Sequence, residues 1–191
     1  MSYFENSARV PLLVYHPKQF TPHRVSQNVS TLDILPTLVD LASTKLVPVF
    51  PIDGLSLLPH LQNKAGGHDT VFAEYAGEGT IAPMMMIRRG PWKYIICPAD
   101  PDQLYNLETD PKELVNLAQL GKQQIQQSYG GLETSAILDA FRKEAHAKWD
   151  FKKLTADILL SQRQRKFVWS ALKQGQFTSW DYNPIDDGRE K

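Results

Sequence analysis

Residues 10–16, Val-Pro-Leu-Leu-Val-Tyr-His, run almost without a polar break and stop at Pro17. A short, continuous apolar run of this kind reads as a β-strand buried on both faces, the inner-strand pattern of a parallel sheet. Pro11 has no N–H to give to a ladder and suits only the start of such a strand. The run therefore needs a neighbour on each side, yet no other segment of the 191 residues supplies a parallel partner. The expectation is an interior strand without its flanking strands, in a chain truncated from a larger α/β domain.

The chain is nevertheless long enough for a core of its own. Apolar residues make up 42% and charged residues 22%, ordinary globular usage that excludes wholesale disorder and collagen-like or disulfide-scaffold chains. Lys plus Arg equals Asp plus Glu at 21 each, so no net field draws the protein to nucleic acid or to an anionic membrane. No apolar run approaches the roughly 20 residues a spanning helix requires. The first residues, Met-Ser-Tyr-Phe-Glu-Asn-Ser-Ala-Arg, lack a basic start followed by an apolar stretch, so no signal peptide is expected. A single cysteine, Cys97, cannot form an internal disulfide and points to a reducing compartment, with the cytoplasm as default. Asn28-Val29-Ser30 matches the glycosylation triplet, which arises often by chance.

After the apolar run, Ser30-Thr31-Leu32-Asp33 carries a capping hydroxyl and an acid three positions on. Leu35, Leu38, Val39 and Ala42 then recur at helical spacing, with Pro36 expected to bend the helix. Prolines 48, 51 and 59 and glycines 54, 66 and 67 predict a long loop over 43–69, anchored by Leu55, Leu57 and Leu58. Thr70–Tyr75, Met84–Arg89 and Trp92–Cys97 read as three strands, the last two a hairpin split by Gly90-Pro91. Residues 99–111 read as acidic turns and 112–120 as a short helix. Residues 132–149 and 151–174 have few breakers and apolar positions three or four apart, so two amphipathic helices are expected. Lys and Arg outnumber acids over 142–173, which fits a solvated helix face or a subunit contact, since no nucleic-acid-binding motif accompanies them. The aromatic tail Phe177–Pro184 needs a surface to dock on. No repeat or heptad pattern occurs, and the architecture expected is mixed, α+β within this chain.

Reactive motifs are scarce. The five histidines have no ligand spacing, and neither Cys-x-x-Cys nor His-Glu-x-x-His is present. Asp100-Pro101-Asp102 lacks the glycine and closing glutamate of a calcium loop. Phosphate-binding glycine loops and the Gly-x-Ser-x-Gly elbow are absent too. Cys97 ends an apolar strand with no cationic helix start nearby in sequence, so it reads as structural. One segment stands out: Glu74-Tyr75-Ala76-Gly77-Glu78-Gly79 brings two acids and a tyrosine from a strand end into a glycine-flanked bend. It is either a surface turn or a place where a ligand approaches the backbone.

Arg9–Val14, Val29–Ala42, Asp53–Leu57 and Leu104–Ala118 together resemble, in order, the C-terminal half of a sulfatase. Phe72–Tyr75 through Trp92-Lys93-Tyr94, with the tail ending Phe177-Thr178-Ser179-Trp180-Asp181, resembles bacterial choline sulfatases within that family. The resemblance implies an alkaline-phosphatase-like α/β fold, of which this chain is the C-terminal portion. Residues 1–69 would close the catalytic domain, 70–130 form a small antiparallel sheet and 131–191 a helical extension. It also implies hydrolysis of choline sulfate by a formylglycine and a divalent metal such as calcium. The formylglycine arises from Cys/Ser-x-Pro-x-Arg, which these residues do not contain. The chain alone is thus expected to be inactive and to bind no cofactor, working with an N-terminal half or as a homo-oligomer. A quaternary ammonium offers no N–H and is held by carboxylates and aromatic faces. The resemblance assigns that role to Glu78 with Tyr75, and to Asp181 with Trp180 in a tail that serves subunit association. Two other readings follow from it: a non-catalytic oligomerisation module, and part of an aryl sulfatase or phosphonate monoester hydrolase.

Overall fold

The computed structural model describes residues 2–43, 50–77, 80–120 and 132–174. Its centre is a four-stranded antiparallel meander of β1 (Thr70–Tyr75), β2 (Met84–Arg89), β3 (Trp92–Cys97) and β4 (Asp100–Asn106), neighbours in that order. The three strands read from sequence form with the expected bounds. In register, Phe72 faces Ile87, Ile87 faces Tyr94 and Tyr94 faces Leu104. Side chains alternate across a strand, so these four line one face of the sheet. Helix α4 (Leu132–Lys148) covers it with Leu138, Phe141 and Ala145, a helical stripe completed by Trp149 just past the helix end. The rings of Tyr94 and Phe141 stack 5.7 Å apart. Arg89 clamps Glu144 through two N–H bonds of 2.9 and 2.7 Å, and Arg142 reaches Asp102 at 2.6 Å.

The opposite face, carrying Met86, Lys93, Ile95 and Tyr105, packs against the start of the chain. There α1 (Glu5–Ala8) lies beside the sheet, with Phe4 5.9 Å from the Tyr105 ring. Lys93, only 1% exposed, donates to the Tyr3 carbonyl at 2.8 Å and to Glu113 Oε1 at 2.8 Å, and pairs with Glu5 Oε1 at 2.6 Å. Three acceptors saturate the three ammonium protons, which is what a buried lysine requires.

Ser30 and Asp33 form the expected reciprocal cap, but it opens a 3-10 turn (Thr31–Asp33) that runs into α2 (Ile34–Leu41). Pro36 thereby falls in the first α-helical turn, where a missing N–H costs nothing. Asp33 joins three segments: its carboxylate accepts from Ser30 N, from Leu55 N at 2.8 Å and from His68 Nε2 at 2.9 Å. Within the predicted loop a short helix α3 (Leu58–Leu61) forms. Leu57 is buried as an anchor, but Leu55 is exposed, because Asp33 holds that residue by its backbone.

Three further expectations are corrected. Val10–Tyr15 is no strand: Leu13 is 94% and Tyr15 88% exposed. Among the described residues nothing lies alongside to take its N–H and C=O groups, and an apolar run without such a neighbour does not become a strand. Residues 100–106, read as acidic turns, form β4. Pro101 is tolerated there because β4 is an edge strand, where the ladder asks no donor of it. Residues 112–120 hold only a 3-10 turn (Leu117–Gln119), because Glu113 takes a left-handed φ of 56° to bring its carboxylate to Lys93.

The chain divides into two compact units, 1–151 and 152–191. The second contains most of helix α5 (Phe151–Leu172), which has no buried residue and exposes Phe167, Val168 and Trp169. No described helix is long and apolar enough to cross a membrane.

Candidate functional site

The segment singled out by sequence leaves the sheet where Tyr75 pairs with Met84, the last rung between β1 and β2. Tyr75 folds back over Gly77: a Cβ there would stand 3.1 Å from the phenol Cζ and hydroxyl oxygen. A side chain there would press the ring back by a few tenths of an ångström. Glu74, one residue earlier and on the other face, has its carboxylate engaged, with the Trp149 indole N–H donating to Oε1 at 2.6 Å. The Trp149 ring meets Phe72 edge to face at 6.1 Å. The Lys148 ammonium sits 4.5 Å over Phe72 and 5.8 Å from Trp149, so this corner already accommodates a cation at the end of a helix, where the backbone dipole favours one.

Tyr3 closes the corner from the other side, its hydroxyl 3.5 Å from the Met84 carbonyl. Burial, followed by the charges of Glu74 and Tyr75, pushes its pKa well above the usual phenol range. The hydroxyl stays protonated and remains a donor. Aromatic faces and acceptor oxygens thus lie on both faces of this strand end, Phe72, Glu74 and Trp149 on one and Tyr3 and Tyr75 on the other.

Of the residues assigned from sequence, Tyr75 is thus placed at the strand end. Glu78, Trp180 and Asp181 lie outside the described residues. Trp149 and Tyr3 were not foreseen. The signal for Trp149 was available, since an indole on a buried helical stripe needs an acceptor for its N–H. For Tyr3 there was none.

Elsewhere the polar clusters are structural. The Asp33–His68 pair lies beside His60, whose ring is 5.2 Å from that of His68, but both Asp33 oxygens are already spent on backbone N–H groups and His68. Among the described residues no three His, Cys, Asp or Glu side chains converge as metal ligands, so the donor set there does not fit the divalent metal implied by the resemblance. Cys97 is buried, with the Ala82 carbonyl 3.9 Å from its sulfur. Asn28 of the glycosylation triplet spends its side-chain N–H groups on Asp69 at 2.6 Å and the Gly90 carbonyl at 3.1 Å, so a glycan there would remove at least one of the two bonds.

Comparison with known proteins agrees with the resemblance seen in the sequence. Residues 2–135 match the family model described as N-sulphoglucosamine sulphohydrolase, C-terminal, and residues 156–191 the one described as choline sulfatase enzyme C terminal. The choline-sulfatase of Rhizobium meliloti (strain 1021) is 40% identical over all of this chain, which spans 36% of that relative. Arylsulfatase K of Gallus gallus is 39% identical over 62% of this chain and 24% of its own length. A protein solved in complex with its substrate D-glucosamine-2-N,6-O-disulfate shares the fold, with a TM-score of 0.55 and 24% identity over 78% of this chain and 31% of that one.

Proposed function

This chain belongs to the sulfatase family, and from that premise we propose that it is the C-terminal region of a choline-sulfatase-like hydrolase, which converts choline sulfate and water to choline and sulfate. Its mixed helices and antiparallel sheet belong to the alkaline-phosphatase-like architecture of that family. The observation that carries the substrate reading is the 40% identity to a choline-sulfatase along the whole chain, including the part that matches the choline sulfatase C-terminal model.

The role we assign is recognition. The Cys/Ser-x-Pro-x-Arg source of a formylglycine does not occur in these residues. In this reading, attack at sulfur and metal binding are supplied from outside this chain, and the chain alone is inactive. It contributes Tyr75 with Glu78, and Asp181 with Trp180, to surround the trimethylammonium group. Each aromatic contact to such a cation is worth about 0.5–2 kcal/mol, rising with desolvation. We assign the exposed run Val10–Tyr15 to association with the catalytic part, and the helical extension to subunit association. The lone buried cysteine supports a cytoplasmic setting.

The test is a hybrid in which residues 1–191 replace the matching stretch of the Rhizobium meliloti choline-sulfatase. The hybrid should hydrolyse choline sulfate with a lower KM than an uncharged aryl sulfate, and Glu78→Gln or Asp181→Asn should raise the KM for choline sulfate alone. Equal effects on both esters would overturn the ammonium role, and a hybrid preferring the aryl ester would favour the arylsulfatase reading.

A further inference from the structure

We propose that Trp149 is a positioning residue for the substrate's cationic end, acting through Glu74. The inference rests on the ammonium-binding reading above and adds to it a residue that belongs to neither matched family segment, since one ends at 135 and the other begins at 156.

Trp149 is held before it holds anything else. Its backbone N–H donates to the Ala145 carbonyl at 2.8 Å, extending the hydrogen-bond pattern of α4 by one residue. Its ring is 5% exposed and packs edge-on against Phe72 and, at 6.4 Å, against Phe151. From this fixed ring the indole N–H reaches Glu74 Oε1 at 2.6 Å, across 75 residues of sequence. One side chain therefore grips β1 at two positions of the same face, Phe72 by contact and Glu74 by hydrogen bond.

Glu74 is where that grip matters. It is the penultimate residue of β1, and Tyr75 after it is the last held by the ladder before the chain turns away. A strand end paired on one side only is free to twist or fray, because edge strands lack a second ladder. Fixing the Glu74 side chain against α4 restrains the twist with which Tyr75 is presented on the opposite face. What Trp149 needs from Glu74 is an acceptor oxygen, not a charge. This separates positioning from direct attraction between Glu74 and the ammonium.

The experiment uses the hybrid described above and reads KM and kcat for choline sulfate and for 4-nitrophenyl sulfate. Trp149→Phe keeps a ring and removes the donor, and Glu74→Ala removes the acceptor. Each should raise the KM for choline sulfate by about fivefold to tenfold, the scale of one lost hydrogen bond of ordinary strength, while kcat and the aryl-ester KM stay within about twofold. The double variant should be no worse than either single one, because both break the same bond. Glu74→Gln retains an acceptor and should restore the KM of the parent. Equal losses on both esters, or a Glu74→Gln as damaging as Glu74→Ala, would overturn the proposal. If Trp149→Phe does not fold, the exposed Glu74 variants carry the test. A parent hybrid without a preference for choline sulfate sinks the ammonium reading itself. A preference untouched by Trp149→Phe and Glu74→Ala sinks this inference alone.

Discussion

Lys93 Nζ stands 2.8 Å from Glu113 Oε1, and the two side chains are 1% and 3% exposed. The pair joins β3 to the segment after β4, and through Glu113 Oε2, which accepts the Glu5 backbone N–H at 2.6 Å, it also fastens α1 to the sheet. Such a pair adds little over a well-packed apolar replacement of both partners, but losing one partner is costly because a charge is left buried alone. Lys93→Met strands Glu113 with Glu5 beside it and is expected to destabilise the protein by about 3–5 kcal/mol, read from urea unfolding. A loss below about 1 kcal/mol would mean that water reaches the pair.

Tyr94 makes the pH response of the fold specific. Its hydroxyl is buried and has no hydrogen-bond partner of ordinary geometry among the described residues, while its ring stacks on Phe141. Burial first, and the nearby Asp102 charge second, raise its pKa above the ordinary 10.0. Tyr3 is raised in the same direction, again chiefly by burial. A group whose folded pKa is raised favours the folded state below its unfolded pKa, and that contribution is lost as pH rises through the folded value. Stability should therefore hold to about pH 10 and then decline. Tyr94→Phe removes the orphan hydroxyl, so it should be neutral or stabilising by about 1 kcal/mol at pH 7 and should make the alkaline decline shallower in thermal melts. A Tyr94→Phe protein that melts lower at pH 7 would show that the hydroxyl has a partner in solution.

How far the sequence foretells these arrangements depends on whether the governing interactions are local. Strands β1–β3 are readable because β-branched and aromatic residues in β1 and β3 and a run of apolar residues in β2 mark them, and Gly90-Pro91 punctuates the hairpin. The Ser30–Asp33 cap is readable because both partners lie within one turn. β4 is hidden because Asp100-Pro101-Asp102 has the composition of a turn, and only its place at the sheet edge makes a strand of it. The predicted helix over 112–120 fails because Glu113 and Asn116 spend their side chains on distant strands, an attraction that outweighs helix propensity. Val10–Tyr15 misleads because hydrophobic continuity signals burial without naming the covering surface. At the candidate site, the strand end and glycine bend locate Tyr75, whereas the bond from Trp149 to Glu74 spans 75 residues and no periodicity encodes it.

Gly54 has a different reason for being glycine than a turn conformation. A Cβ there would fall far inside contact distance of the Leu32 carbonyl, in the turn that Asp33 caps. The obstacle is backbone and cannot swing aside, so Gly54→Ala must push the 53–57 loop away from Asp33 and weaken the Leu55 N–H bond to its carboxylate. The expected loss is about 2–3 kcal/mol, the range for overpacking combined with a weakened buried hydrogen bond. A Gly54→Ala protein that melts with the parent would show that the loop relaxes without cost.

Asn116 does for the outer edge of β4 what a fifth strand would do. Its Oδ1 accepts the Leu104 N–H at 3.0 Å and its Nδ2 donates to the Asp102 carbonyl at 3.0 Å, satisfying two backbone groups on the side of β4 away from β3. An open edge of this kind is a template for pairing with another chain. Asn116→Asp keeps the acceptor and loses the donor, leaving the Asp102 carbonyl unpaired and facing a carboxylate. The variant should lose about 1–2 kcal/mol of stability. Amide exchange at Leu104 should become faster while Tyr94, in the interior of the sheet, keeps its protection, because the opening is confined to the edge. Exchange that quickens equally at both positions would instead mean that Asn116 supports the whole sheet and that its pairing with β4 is incidental.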